Sequence, residues 1–120
     1  MNRISFIAIL LLTVLFACND KDCHTSSSLS YSGDIQPIFN DNCATSGCHS
    51  SASKSGGLDL SAGNSYAQLS KSGSGYINTA KPTSSVLSSK MRTDMPPSGK
   101  LDACTLEKIE KWMEQGAKNN

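Results

Sequence analysis

Large apolar side chains are scarce in this chain. From Cys18 onward only 20 of 103 residues are Val, Ile, Leu, Met, Phe, Tyr or Trp. That lies near the composition at which chains stay disordered. The 20 serines in the same span add little to a core, so the chain needs help to fold. An excess of one charge is also missing. The same span holds 10 basic and 10 acidic residues. There is no basic run and no aromatic-interleaved basic patch, which excludes the usual footprint of a nucleic-acid binder. The balance gives no electrostatic clue to a partner either. No internal repeat is visible. Histidine occurs only as His24 and His49. The longest apolar run, Ile4 to Ala17, is too short to span a bilayer comfortably.

That run has another use. It follows Arg3, is broken only by Ser5 and Thr13, and has the form of the apolar heart of an export signal. It ends in Leu15-Phe16-Ala17-Cys18, which resembles a bacterial lipoprotein processing site. Phe16 fits that site more loosely than a small residue would. Processing there removes residues 1–17 and leaves Cys18 first in the chain, carrying lipid. The alternative is ordinary signal cleavage nearby. Either way the chain is exported to the cell envelope, facing the periplasm or the cell surface, where disulfides can form. Residues 18–30, with Asp20, Lys21 and Asp22, read as a polar tether. His24 falls in this tether and reads as part of it. Residues 31–120 are one domain.

The chain is organised around Cys43-Ala44-Thr45-Ser46-Gly47-Cys48-His49. Two cysteines followed at once by histidine is the pattern of covalent c-type haem attachment. The thiols of Cys43 and Cys48 form thioethers with the haem vinyl groups, and His49 is delivered to the iron as an axial ligand. The spacer is four residues, where two are usual. A longer loop must bulge, and Gly47 with its small neighbours can allow it. The competing reading is a Cys43–Cys48 disulfide beside an unrelated histidine. Haem would also make good the shortage of apolar residues, because it is a large apolar body.

Five cysteines are present. With Cys18 on lipid and Cys43 and Cys48 on haem, Cys23 and Cys104 remain, and an exported chain tends to pair them. They are 81 residues apart, so loop closure alone predicts about 4–5 kcal/mol of stabilisation. If four cysteines instead form two disulfides, three pairings are possible and none is left for haem.

The spacing predicts a first helix over Asp34–Asn42, with Asp34 as its cap and Pro37 in its first turn. Ile35, Ile38, Phe39 and Asn42 share one face, which leads into Cys43. Ser50–Gly57 reads as a loop, and Gly57-Leu58-Asp59-Leu60 as a return to the core. Short helices are expected over Ser65–Lys71, with Tyr66 and Leu69 inward, and over Ser84–Met91, which places Val86, Leu87 and Met91. Gly73, Gly75 and Lys81-Pro82 mark turns. Met95-Pro96-Pro97 is an irregular segment in which the prolines limit backbone freedom, suited to aim a sulfur at a metal. Met91, four residues earlier, is the other candidate, and a methionine is more commonly a core filler. The last helix has Asp102 as its cap, Leu101 to staple onto Leu106, and an apolar face of Leu106, Ile109, Trp112, Met113 and Gly116. Glu107 precedes Lys111 by one turn as a surface pair, and Gly116 ends the helix.

Taken in order, these parts resemble a small class I cytochrome c domain. More narrowly, they are similar to the cytochrome c-like domains of bacterial envelope proteins of the Bacteroidetes and planctomycete type. The resemblance runs from Tyr31 to Asn120. It rests on Asp34-Ile35-Gln36-Pro37-Ile38-Phe39, the haem motif, Gly57-Leu58-Asp59-Leu60, Met95-Pro96-Pro97, and Ile109 to Ala117. It implies an all-α fold whose terminal helices pack across each other beside a covalently bound haem, with long loops. It implies Cys43 and Cys48 as thioether sites, His49 as proximal iron ligand and Met95 as distal ligand. The expected function is that of a lipid-anchored monohaem cytochrome, a monomer that passes single electrons between redox partner proteins. With both axial positions filled by protein there is no open iron site and no enzyme is expected. No nucleophile–base pair is evident. Two other classes are a haem-free, disulfide-stabilised binding or structural lipoprotein, and a haem sensor or enzyme with an open distal site.

Overall fold

Helices form wherever apolar residues recur at helical spacing, and irregular, serine-rich segments join them. The computed structural model describes Cys23 and residues 26–120. The export signal, Cys18 and His24 lie outside the described residues. A wide helical turn, Tyr31–Ile35, runs directly into α1, Gln36–Asn42; α2 is Ser65–Leu69, α3 is Val86–Thr93 and α4 is Ala103–Glu114. Tight single turns occupy Ser55–Gly57 and Pro82–Ser84. No strand occurs among the described residues, and the fold is all-α.

The first helical segment starts earlier than Asp34. Ser30 is the cap: its hydroxyl accepts from the Gly33 amide at 3.1 Å. Asp34 reaches back and accepts from the Ser30 amide at 2.8 Å. This is a reciprocal cap widened by one residue. The wide turn has a local reason. Proline lacks an amide hydrogen and crowds the carbonyl four residues back, so Pro37 disfavours a regular α-helix running through it. One extra residue in the turn relieves the conflict. The gain is that Tyr31 joins the buried face together with Ile35 and Phe39.

Tyr31 becomes the hub of an aromatic cluster. Its ring lies 5.1 Å from Tyr66, 5.2 Å from Trp112 and 6.4 Å from Phe39. The first two contacts are tilted or edge-on, as ring quadrupoles favour. Its hydroxyl donates to Ser65 at 2.6 Å, Ser65 donates to Gln36, and Gln36 donates to the Leu60 carbonyl at 3.0 Å. Burial pushes the Tyr31 hydroxyl up to about 12, against the opposing effect of the Ser65 bond.

α4 forms as its sequence predicts. Asp102 accepts from the Thr105 amide at 3.0 Å. Ile109, Trp112 and Met113 are fully buried, while Leu101 and Leu106 pack against the core from its edge. The end is a Schellman motif. Gly116 has φ +98°, its amide reaches Met113, and the Ala117 amide reaches the Trp112 carbonyl. Tyr66 and Trp112 then fix the last residues by donating to the Ala117 and Lys118 carbonyls at 2.8 and 3.0 Å. One expectation fails: Lys111 pairs with Glu114 at 3.1 Å and not with Glu107.

Two further boundaries shift. α2 ends at Leu69, two residues short of Lys71, and buries Leu69 with Tyr66 half-buried beside it. α3 begins at Val86 because Ser85 caps it, accepting from the Ser88 amide at 3.0 Å; residue 84 belongs to the preceding turn. α3 is fastened to α4 by a group that periodicity does not reveal. Glu110 is buried and accepts from Arg92 at 2.7 and 2.8 Å, and from Ser88.

The amino-terminal run is held at two ends of α4. Cys23 is joined to Cys104 in the first turn, with a Cα–Cα distance of 5.2 Å. The Leu29 amide donates to Gln115 at 2.9 Å, and Gln115 donates to the Ser27 carbonyl at 3.2 Å. Leu29 is 3% exposed, so the folded body extends into the stretch that composition marks as tether.

Candidate functional site

The side chains singled out in the sequence meet at one cleft. α1 delivers Cys43 as its last-turn cap, with the Cys43 amide 2.8 Å from the Phe39 carbonyl. The loop after it closes on itself: the His49 amide donates to the Cys43 carbonyl at 2.9 Å, and Cys48 to Thr45 at 3.0 Å. Gly47, at the bulge, has φ +79° and donates to Ser53 at 2.9 Å. A residue with a side chain is strained at that angle, so the four-residue spacer depends on glycine here.

His49 is held from both sides of its backbone and by its ring. The Leu60 amide donates to the His49 carbonyl at 2.7 Å. His49 Nδ1 lies 3.3 Å from the Leu58 carbonyl. A carbonyl can only accept, so Nδ1 carries the hydrogen, and in the neutral ring Nε2 is left with its lone pair. This is the arrangement by which proteins orient a metal-ligating imidazole. Below it, Asp59 anchors the Leu58–Leu60 strap. It accepts from Ser61, which pulls its carboxyl below the ordinary value, and it also receives Asn64 at 3.1 Å with Lys54 3.7 Å away.

A cavity of about 190 Å³ opens beside these residues, with Cys43, His49, Leu60, Leu87, Met91 and Met95 in its wall. A second hollow of about 110 Å³ adjoins it, sharing Cys43, His49 and Met95 and adding Cys48, Pro96 and Pro97. The lining is mostly apolar and also includes Leu58, Tyr76 and Val86, together with Ser55, Gly56 and Lys90. Val86 is 39% exposed, the only large hydrophobic side chain so exposed among the described residues. A larger hollow, about 520 Å³, lies elsewhere against Tyr31, Gln36 and Tyr66 and contains none of the cysteines or His49.

Cys43 and Cys48 are both free thiols, so neither the Cys43–Cys48 disulfide nor a two-disulfide scheme is formed. Cys43 is 9% exposed, and burial with the neighbouring Cys48 pushes its thiol up to about 11. It is therefore a neutral thiol at ordinary pH. Met91 is 3% exposed on α3 and belongs to the core as well as to the cavity wall. Met95 is half-buried past the end of α3, its amide 2.9 Å from the Lys90 carbonyl, and the Met95–Pro96 peptide bond is cis. Met95 alone of the two methionines lines both hollows.

The donor atoms in the cleft are of three kinds. Among the described residues no group of three or more His, Cys, Asp or Glu side chains is placed to hold a bare metal ion. What meets instead is one imidazole, two thioethers and two free thiols on an apolar wall. Such a set would suit an apolar group held covalently by the thiols and ligated through its metal by the imidazole and a thioether. Sequence reasoning missed Tyr76 in the wall and the Leu58 carbonyl as partner of His49. The first has no motif around it, and the second is a main-chain group. No protein-family model, curated protein or solved structure matches this chain.

Proposed function

We propose that this chain is an exported, lipid-anchored c-type cytochrome with one haem, which carries single electrons between partner proteins of the cell envelope. The observation that supports it best is the gathering of Cys43, Cys48, His49 and Met95 around two adjoining hollows, with both thiols free. Bound haem would supply a one-electron iron couple whose potential follows its axial ligands and its burial.

The chain's own residues have separate tasks in this reading. Cys43 and Cys48 hold the group covalently. His49 offers Nε2, because the Leu58 carbonyl engages Nδ1. Met95 offers a thioether sulfur from a segment stiffened by two prolines. Leu58, Leu60, Leu87 and Met91 exclude water from the cleft, and Val86 covers its edge. The contact between Tyr31 and Trp112 supports a packing of the terminal helices like that of a class I cytochrome c domain. With His49 and Met95 both given to the iron, no position would be left open to a substrate, so the reading is of a carrier and not an enzyme.

The test is expression of the full chain with a haem-maturation system. Haem should remain on the polypeptide in a denaturing gel, and Cys43→Ala with Cys48→Ala should abolish it. A purified wild-type protein without a Soret band, or a double variant that still stains for haem, would overturn the proposal.

A further inference from the structure

The amino-terminal run leaves the domain at a defined place. Its first described tie is the Cys23–Cys104 disulfide, in the first turn of α4. Its next ties, Ser27 and Leu29 to Gln115, are at the other end of that helix. Cys104 and Gln115 are 11 residues apart. At 1.5 Å per residue the two ties are about 16 Å apart along the axis. The two ties therefore compete to define which pole of the domain the membrane anchor pulls on.

We propose that the pole at the start of α4, around Cys104, faces the lipid bilayer. This rests on the reading that Cys18 carries lipid. Cys18 and Cys23 are five residues apart, whereas Cys18 and Ser27 are nine apart. A chain spans at most about 3.3–3.6 Å per residue, so the disulfide limits the leash to about 17 Å. Without it the leash reaches about 31 Å and ends at the Gln115 pole. A single covalent bond thus sets both the distance and the orientation of the carrier. Charge contributes little: Lys100 and Lys108 near this pole are offset by Asp102 and Glu107. The surface is presented to lipid by tethering, not by attraction.

The experiment uses the full processed protein, with its disulfide, in phosphatidylcholine vesicles doped with a lipid that bears a photoreactive headgroup. Intact mass first reports lipid on Cys18. Peptide mapping after illumination should find label in residues 98–108 several-fold above residues 115–120. In Cys104→Ser, or in the wild type after dithiothreitol, label should move toward residues 115–120. Lipid on Cys18 with label spread evenly, or concentrated at residues 115–120 while the disulfide is intact, overturns the orientation alone. Absence of lipid on Cys18 overturns the anchoring reading and the orientation with it. The wild-type map decides even if the serine variant fails to fold.

Discussion

The two ends of the core are built differently. At one end Tyr31, Phe39, Tyr66 and Trp112 close on one another, and every buried polar group there has a partner. At the other end Leu58, Leu60, Leu87, Met91 and Val86 face a cavity. The first end is finished by the chain itself. The second borders an open hollow, with Leu60, Leu87 and Met91 belonging at the same time to the one core. The twenty large apolar residues from Cys18 onward supply one core cluster and the lining of the hollow beside it. In the proposed reading, haem completes the second.

This contrast can be broken most severely at the cleft. Cys43→Ala with Cys48→Ala should remove covalent haem entirely and lower the thermal midpoint of the whole domain, measured by circular dichroism. An unchanged midpoint would mean that the cleft needs no occupant. At the closed end, Trp112→Ala should cost about 3–5 kcal/mol in denaturant unfolding while keeping covalent haem. A loss below about 1 kcal/mol would show that the aromatic cluster is not the stable half.

A finer test separates the two methionines on the wall. Met91→Ala should cost on the order of 2–5 kcal/mol of stability and keep the weak far-red sulfur-to-iron band of the oxidised protein. Met95→Ala should lose that band, lower the potential and open the iron to carbon monoxide. The reverse pattern would move the ligand to Met91.

The smallest effect is at Tyr31. Its hydroxyl titrates higher in the folded chain, near 12, than the ordinary value of 10. The folded form therefore retains a proton that the unfolded form loses. This contribution is fully present below pH 10 and is lost as pH rises toward 12. It is worth on the order of 1–2 kcal/mol, because an open hollow reaches the ring. Unfolding curves between pH 9 and 12 should lose that slope in Tyr31→Phe, and an identical slope in the variant would assign it to other groups.

The same division governs what the sequence makes legible. α4 is readable because its cap, apolar face and terminal glycine agree locally. Cys43, Cys48, His49 and Met95 stand out because the first three form a motif and the fourth sits among prolines. The early start of the first helical segment is not readable, since it depends on how Ser30 and Asp34 resolve the conflict at Pro37. Nor is the Arg92–Glu110 pair, which requires α3 and α4 to be packed first. Its geometry resembles a structural rivet: Glu110 is mostly buried, and losing either partner would leave the other poorly paired. Lys111 chooses Glu114 over Glu107, a difference of one helical position that exposed charges decide for little energy.

The bond between His49 Nδ1 and the Leu58 carbonyl has an engineering consequence. Its acceptor belongs to the main chain, so no substitution at position 58 deletes it. The amide of residue 60 that grips the His49 carbonyl is main chain too. The ring's aim is therefore indifferent to most side chains between Ser50 and Gly57 but sensitive to their number. Libraries that randomise this loop at constant length while keeping Ser53, Gly56 and Gly57 should retain imidazole orientation, whereas inserting or deleting one residue should misalign it.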